Sequence, residues 1–185
     1  VDTDSSGLAS LPVSANLVSG AYVVLASTAD SSAPAVFHLT NTAGAPASIT
    51  ASVLGTPQSQ LVEKPFANEL LVLVLDANGN PVPNATVTYT APATGASATL
   101  SSTTVTTDVN GQARVRAIAN TRSGAYAVTA SVSGVATPAS FSLHNLSGIP
   151  ATIRLVSGDA QSAGAGQTFA NPLVFEVLDS LGNPV

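Results

Sequence analysis

The strongest hydrophobic pattern in the chain lies at residues 70–75, where Leu70, Val72 and Val74 alternate with Leu71, Leu73 and Leu75. A period of two predicts a strand, but with both rows apolar it does not say which row is buried. A similar stretch further on resolves this. There Leu173, Phe175 and Val177 alternate with Val174, Glu176 and Leu178. Glu176 belongs in water, so the Leu70, Val72 and Val74 row is assigned to the core. Other segments alternate as clearly. Val87 and Tyr89 point inward between Thr86, Thr88 and Thr90. Residues 98–106 carry strand character. Ala113, Val115 and Ala117 are inward, with Arg114 and Arg116 outward. Tyr126, Val128, Ala130 and Val132 form another buried row, and Phe141 and Leu143 another. Turn chemistry separates the segments: Gly79 between Asp76 and Pro81, Gly111 after Asp108, and Ser123 with Gly124. No window holds a 3.6-residue apolar stripe with caps. About seven strands with turn signals every ~8–12 residues predict an all-β sandwich.

The chain also repeats itself. Residues 1–49 align without a gap on residues 105–153, an offset of 104, with 23 identities in 49 positions. Residues 66–82 align on 169–185 at an offset of 103, with 11 identities in 17. The change of offset places a single-residue insertion or deletion between Ile49 and Phe66. A repeat of this length matches one immunoglobulin-like sandwich of about 100 residues and is far too long for a solenoid. The expected organisation is tandem immunoglobulin-like β-sandwich domains, one complete and two partial. Residues 1–48 are the C-terminal half of one repeat, 49–148 a complete repeat, and 149–185 the N-terminal part of the next. Residues 147–151, with Pro150 fixing φ, read as a short, stiff linker between 49–148 and 149–185.

Composition narrows the function. Charged residues are 8% of the chain against about 25% in ordinary soluble domains, so Ser, Thr and Asn must supply the polar surface. Only five Lys and Arg are present, too few for a phosphate-neutralising patch, and nucleic-acid binding is set aside. The absence of Cys removes disulfides, Cys-based zinc sites and thiol nucleophiles. No apolar run reaches the ~18 residues of a membrane helix. No membrane insertion is expected in this segment.

Three stretches carry a family resemblance. They are the strand and turn at residues 70–89, the Thr-Asp-x-x-Gly segment at 104–119, and Gly-x-Tyr-x-Val-x-Ala within 123–132. In that order they resemble bacterial immunoglobulin-like domains of group 1, the repeats of invasin- and intimin-type adhesins. The resemblance spans nearly the whole chain. It implies stacked sandwiches that hold a binding tip away from a bacterial surface, hence an extracellular location. The repeats here are poorer in Lys and richer in Ala, Ser and Thr than that family suggests.

Candidate sites are few. Asp76, Asn78 and Asn80 have the spacing that opens a calcium loop, but Pro81 and Val87 stand where an EF-hand needs Gly and Glu. Asp108 and Asn110 form a similar group. In the matching copies Leu181 replaces Asn78, and Ser6 replaces Asn110. All five positions are read as structural turns, because Asp and Asn side chains bond the backbone two residues on. Cation binding is the lesser reading, and calcium held between domains stays open as the one cofactor considered. His38 and His144 do not align with each other, and no Gly-x-Ser-x-Gly elbow is present. No catalytic residue is assigned, and no enzyme is expected. The Asn84 and Asn145 sequons are read as chance, and the outward Thr row as an ordinary uncharged face rather than a carbohydrate or ice surface. Tyr126 and its counterpart Tyr22 are read as a tyrosine corner bonding nearby backbone, or as plain core packing.

The expected function is therefore a structural spacer in a long bacterial surface adhesin or filament. Its partners are neighbouring Ig-like repeats, with cell-surface or biofilm contacts for the whole. Two alternatives stand beside it. One is a self-assembling filament subunit that exchanges strands between chains. The other is an adhesive module that itself binds a receptor or glycan.

Overall fold

A computed structural model describes residues 1–30 and 33–185. Its described residues form strands, turns and loops, with no helix. The chain opens with a hairpin, β1 (Gly20–Ala26) and β2 (Ala35–Asn41). The central sandwich follows: β3 (Pro46–Ala51), β4 (Gln58–Leu61), β5 (Leu70–Asp76), β6 (Thr86–Thr90), β7 (Ala98–Leu100), β8 (Thr104–Thr106), β9 (Gln112–Val115), β10 (Ala117–Ala119), β11 (Gly124–Val132) and β12 (Ala139–Leu146). A second hairpin, β13 (Thr152–Ser157) and β14 (Val174–Leu178), ends it. β3 crosses the boundary drawn at residues 48 and 49, because its first residue, Pro46, already pairs with Asp76.

One sheet of the sandwich has the order β4-β12-β11-β6-β8, and the other β3-β5-β9, with the pair β10-β7 beside it. Between them lies the core. Leu70, Val72, Val74, Val87, Val128, Ala130 and Phe141 are fully buried, with Tyr89 and Ala113 almost so. The inward rows expected at 70–74, 87–89, 113–117 and 141–143 are the buried ones, while Thr86, Thr88, Thr90, Arg114 and Arg116 face solvent. Tyr89 stacks on Phe141 with ring centroids 6.3 Å apart, and its hydroxyl reaches the carbonyls of Leu70 (3.1 Å) and Ala113 (2.8 Å) in the opposite sheet. Burying side chains of this size contributes roughly 1.5–3 kcal/mol each.

One sequence expectation needs correction, and one strand was not foreseen. Residues 98–106 are not one strand. β7 pairs with β10, whereas β8 pairs with β6 in the other sheet. The companion break falls at Arg116, whose N–H bonds the Ser101 hydroxyl instead of a strand partner. A segment that changes sheets cannot keep one ladder through the corner. The unforeseen strand is β4, which the pattern does not reveal. Its sequence, Gln-Ser-Gln-Leu, has no apolar alternation, and it is held as a parallel edge strand on β12.

The two hairpins repeat the central pairings. β1 pairs with β2 from Gly20 opposite Asn41, and β11 with β12 from Gly124 opposite Asn145, the same register after the 104-residue offset. β13 and β14 reproduce β3 and β5 in the same way, with a bulge between Leu155 and Ser157. The change of offset lies there. Where the central repeat makes a turn closed by Gly55 N–H on the Ser52 carbonyl, the later copy has one residue fewer and a bulge. Among the described residues no second sheet covers the hairpins, so Phe37 (54% exposed) and Phe175 (62% exposed) are open where their central counterparts Phe141 and Val72 are sealed.

Candidate functional site

The Asp-x-x-Gly segments all close in the same way. Asp76 Oδ1 accepts the N–H groups of Asn78 (2.9 Å) and Asn80 (2.8 Å), while the Gly79 N–H bonds the Asp76 carbonyl. The loop from Asp179 to Asn183 repeats each of these bonds. Asp108 holds Asn110 and Gln112 likewise, and Asp4 holds Ser6 and Leu8. Glycine is needed for the turn itself: Gly79 has φ +83°, which side chains other than glycine adopt at a cost. Only the backbone N–H of position 78 is used, which explains why Leu181 can stand in its place.

The Asp76 and Asp179 loops do something the other two do not, because each reaches back to the preceding repeat. Asn80 Oδ1 accepts the N–H of Ser19 (2.9 Å), and its Nδ2 donates to the Leu17 carbonyl and to Asp76 Oδ2 (both 2.9 Å). Asp76 Oδ2 also accepts the Gly44 N–H (2.8 Å) from the connection between β2 and β3. One repeat later, Asn183 holds Ser123 N–H and the Thr121 carbonyl, both at 2.9 Å, and Asp179 holds Gly148 N–H at 2.8 Å. The receiving loop is shaped from its own side. Asn145 Nδ2 donates to Asn120 Oδ1 and the Arg122 carbonyl (both 3.0 Å), as Asn41 does to Asn16 Oδ1 and the Val18 carbonyl. The result is a joint, built twice, in which polar side chains of one repeat bond the backbone of the one before.

The comparisons with known proteins fit this picture. Residues 66–143 match the bacterial Ig-like domain (group 1). The central sandwich is a group 1 bacterial Ig-like domain. Over 120 residues, 63% of this chain, the sequence is 38% identical to the inverse autotransporter adhesin YeeJ of Escherichia coli (strain K12), and it spans 5% of that protein's length. The fold is similar to that of InvD from Yersinia pseudotuberculosis, with a TM-score of 0.56 and 16% identity over 91% of this chain and 52% of that one. The D0-D1 domain of intimin aligns at 26% identity and a TM-score of 0.42, over 69% of this chain and 63% of that one.

The two joint carboxylates, Asp76 in the central domain and Asp179 in the following repeat, are strongly acidic. Asn80 Nδ2 and the Gly44 N–H, with two further loop N–H groups, hold Asp76 down at about 2. For Asp179 burial pushes upward, but Asn183, Gly148 and the loop N–H groups outweigh it, again to about 2. Each carboxylate thus has N–H donors on both oxygens. Among the described residues no group of three His, Cys, Asp or Glu side chains converges.

The remaining candidates lie apart. His38 and His144 are exposed on β2 and β12, opposite Val23 and Ala125. The Thr row on β6 sits across from Thr106, Thr104 and Thr129, a ladder of hydroxyls on an uncharged face. Asn84 is an exposed turn residue with φ +59°, whereas Asn145 is fully buried, and its amide is occupied. Tyr126 is half-buried against the core, but its hydroxyl bonds Asn145 Oδ1 (3.0 Å) rather than backbone, so the corner is made through a side chain. Burial pushes its pKa up to about 12. The joint asparagines are what sequence reasoning missed. The available signal was the retention of Asn16, Asn41 and Asn80 as Asn120, Asn145 and Asn183 while neighbouring polar residues changed.

Proposed function

We propose that this chain is a spacer segment of a bacterial surface adhesin, in which consecutive Ig-like domains are held end to end in a rod that displays a binding region elsewhere in the protein. One observation carries the reading: the same joint recurs at both repeat boundaries with its bonds within 0.1 Å. The positions that could have formed a ligand site do not recur. Asn78 becomes Leu181, His38 aligns with Ser142, and His144 with Thr40. Two surface depressions, of about 390 and 230 Å³, are lined by no acidic or basic side chain. Asp76, Asn78, Asp108 and Asn110 act as turn and joint residues, needing no calcium. The segment works outside the cell and performs no catalysis. Its partners are the neighbouring repeats. In the parent adhesin, replacing residues 49–148 by an unrelated Ig-like domain of equal length leaves adhesion intact. Lost adhesion in that chimera would make this segment a binder.

A second reading draws on the open inner faces of the hairpins, with Phe37 on one and Leu155 and Phe175 on the other. Such faces suit strand exchange between chains. Sedimentation of the 185-residue chain separates the two: a concentration-independent monomer supports the spacer, and growing oligomers support exchange.

A further inference from the structure

The joint has a property that matters beyond holding two repeats together: its plug touches nothing that varies. Asn80 bonds the Leu17 carbonyl and the Ser19 N–H, and Asn183 bonds the Thr121 carbonyl and the Ser123 N–H. These are main-chain groups two residues apart. The side chains at the two central loop positions are Leu17 and Val18 in one socket, Thr121 and Arg122 in the other. All four are exposed, and exchanging apolar residues for a polar and a charged one leaves the bonds unchanged. The socket's shape comes instead from amides that repeat. Asn16 Oδ1 accepts the Val18 N–H, and Asn120 Oδ1 accepts the Arg122 N–H, while Asn41 and Asn145 hold the carbonyls of the same residues. On the plug side, Asp76 and Asp179 take one proton of the Asn Nδ2, leaving the other directed at the socket carbonyl.

We propose that Asn80 and Asn183 form a backbone-reading plug, so that each repeat docks at one fixed orientation on any preceding repeat of this kind, whatever its loop side chains. The partner is thus defined chemically. It is an Asn-x-x-Ser-Gly loop, pinned by a buried Asn about 25 residues later, offering one carbonyl and one N–H to a side-chain amide. Repeats joined in this way can be inserted, lost or reordered without matching surfaces, because the recognised groups belong to the main chain. The inference deepens the spacer reading and rests on it for its consequence in a rod, but its test does not involve adhesion.

The test is amide hydrogen exchange on the full 185-residue chain. The Asn183→Ala variant removes the acceptor of the Ser123 N–H, and exchange at Ser123 rises at least ~10-fold, while Val128 and Phe141 in the core keep their protection. The Thr121→Leu, Arg122→Val double variant, which gives the second socket the residues of the first, leaves Ser123 exchange within ~2-fold of the parent. Asn80→Ala repeats the effect at Ser19. Unchanged Ser123 exchange in Asn183→Ala would overturn the proposal. So would a socket swap that exposes Ser123 as much as Asn183→Ala does, since side chains would then set the fit. Loss of protection at Val128 and Phe141 in Asn183→Ala would also overturn it, by making Asn183 a core residue rather than a plug. None of these outcomes depends on whether a replaced repeat still supports adhesion.

Discussion

Replacing Asn145 with Ala removes the clamp that shapes the second socket. The side chain is fully buried in β12. Its two Nδ2 protons are shared among the Ser97 carbonyl (2.9 Å), Asn120 Oδ1 and the Arg122 carbonyl (both 3.0 Å), and its Oδ1 accepts the Tyr126 hydroxyl (3.0 Å). Two donated protons, one of them shared between two acceptors, and one accepted proton amount to three hydrogen bonds lost at once, and at about 1 kcal/mol net for each the domain loses roughly 3 kcal/mol. For a domain near 100 residues that lowers Tm by roughly 12–24 °C. Tyr126→Phe removes one of the three bonds and costs about 1 kcal/mol. In the Asn145→Ala background the same change costs almost nothing, so a double-mutant cycle returns a coupling of about 1 kcal/mol. Urea unfolding followed by far-ultraviolet circular dichroism measures all four proteins. A loss below about 1 kcal/mol for Asn145→Ala would mean that the freed carbonyls find other donors, and that the amide does not shape the socket.

Four further outcomes follow from the structure. Gly79→Ala costs about 1–2 kcal/mol through its positive φ alone, since nothing lies within 4 Å of an added methyl. Gly111→Ala costs more in the same unfolding assay, because its Cβ would sit 2.6 Å from the Val74 carbonyl oxygen. Tyr89→Phe costs about 1–2 kcal/mol, since the buried hydroxyl is the donor facing the Leu70 and Ala113 carbonyls, and burial raises its pKa so that it stays protonated. Asp76 and Asp179 have folded pKa values of about 2 against an ordinary 3.8, so their contribution is complete above about pH 4 and is lost as pH falls toward 2. The protection factors of the Gly44 and Gly148 amides, taken against the intrinsic exchange rate at each pH, fall down that window in the parent and are already low, with little pH dependence, in Asp76→Asn and Asp179→Asn.

Most of the sandwich was legible because its strands bury every second residue. The paired copies around Glu176 even told inside from outside where both rows of the 70–75 segment were apolar. β4 escaped because Gln58 and Gln60 are bound by polar contacts to Gly55, Asn68 and Pro65 rather than by core packing. The split at Ser101 and Arg116 escaped because a change of sheet alters the partner and not the local pattern. The joint was half legible. Asp76 and Gly79 announced a turn, since that chemistry is local. Asn80 did not announce a plug, because its partners lie 61 and 63 residues away and are main-chain groups that no side-chain pattern reveals.

The central claim is that successive repeats are fixed to one another. Residual dipolar couplings of backbone amides in the full 185-residue chain measure this most directly. A joint closed by Asn183 and Asp179 gives β13 and β14 the same alignment tensor, in magnitude and orientation, as β11 and β12. Separate tensors, with a reduced magnitude for the second hairpin, would show repeats that swing independently and would contradict a fixed rod.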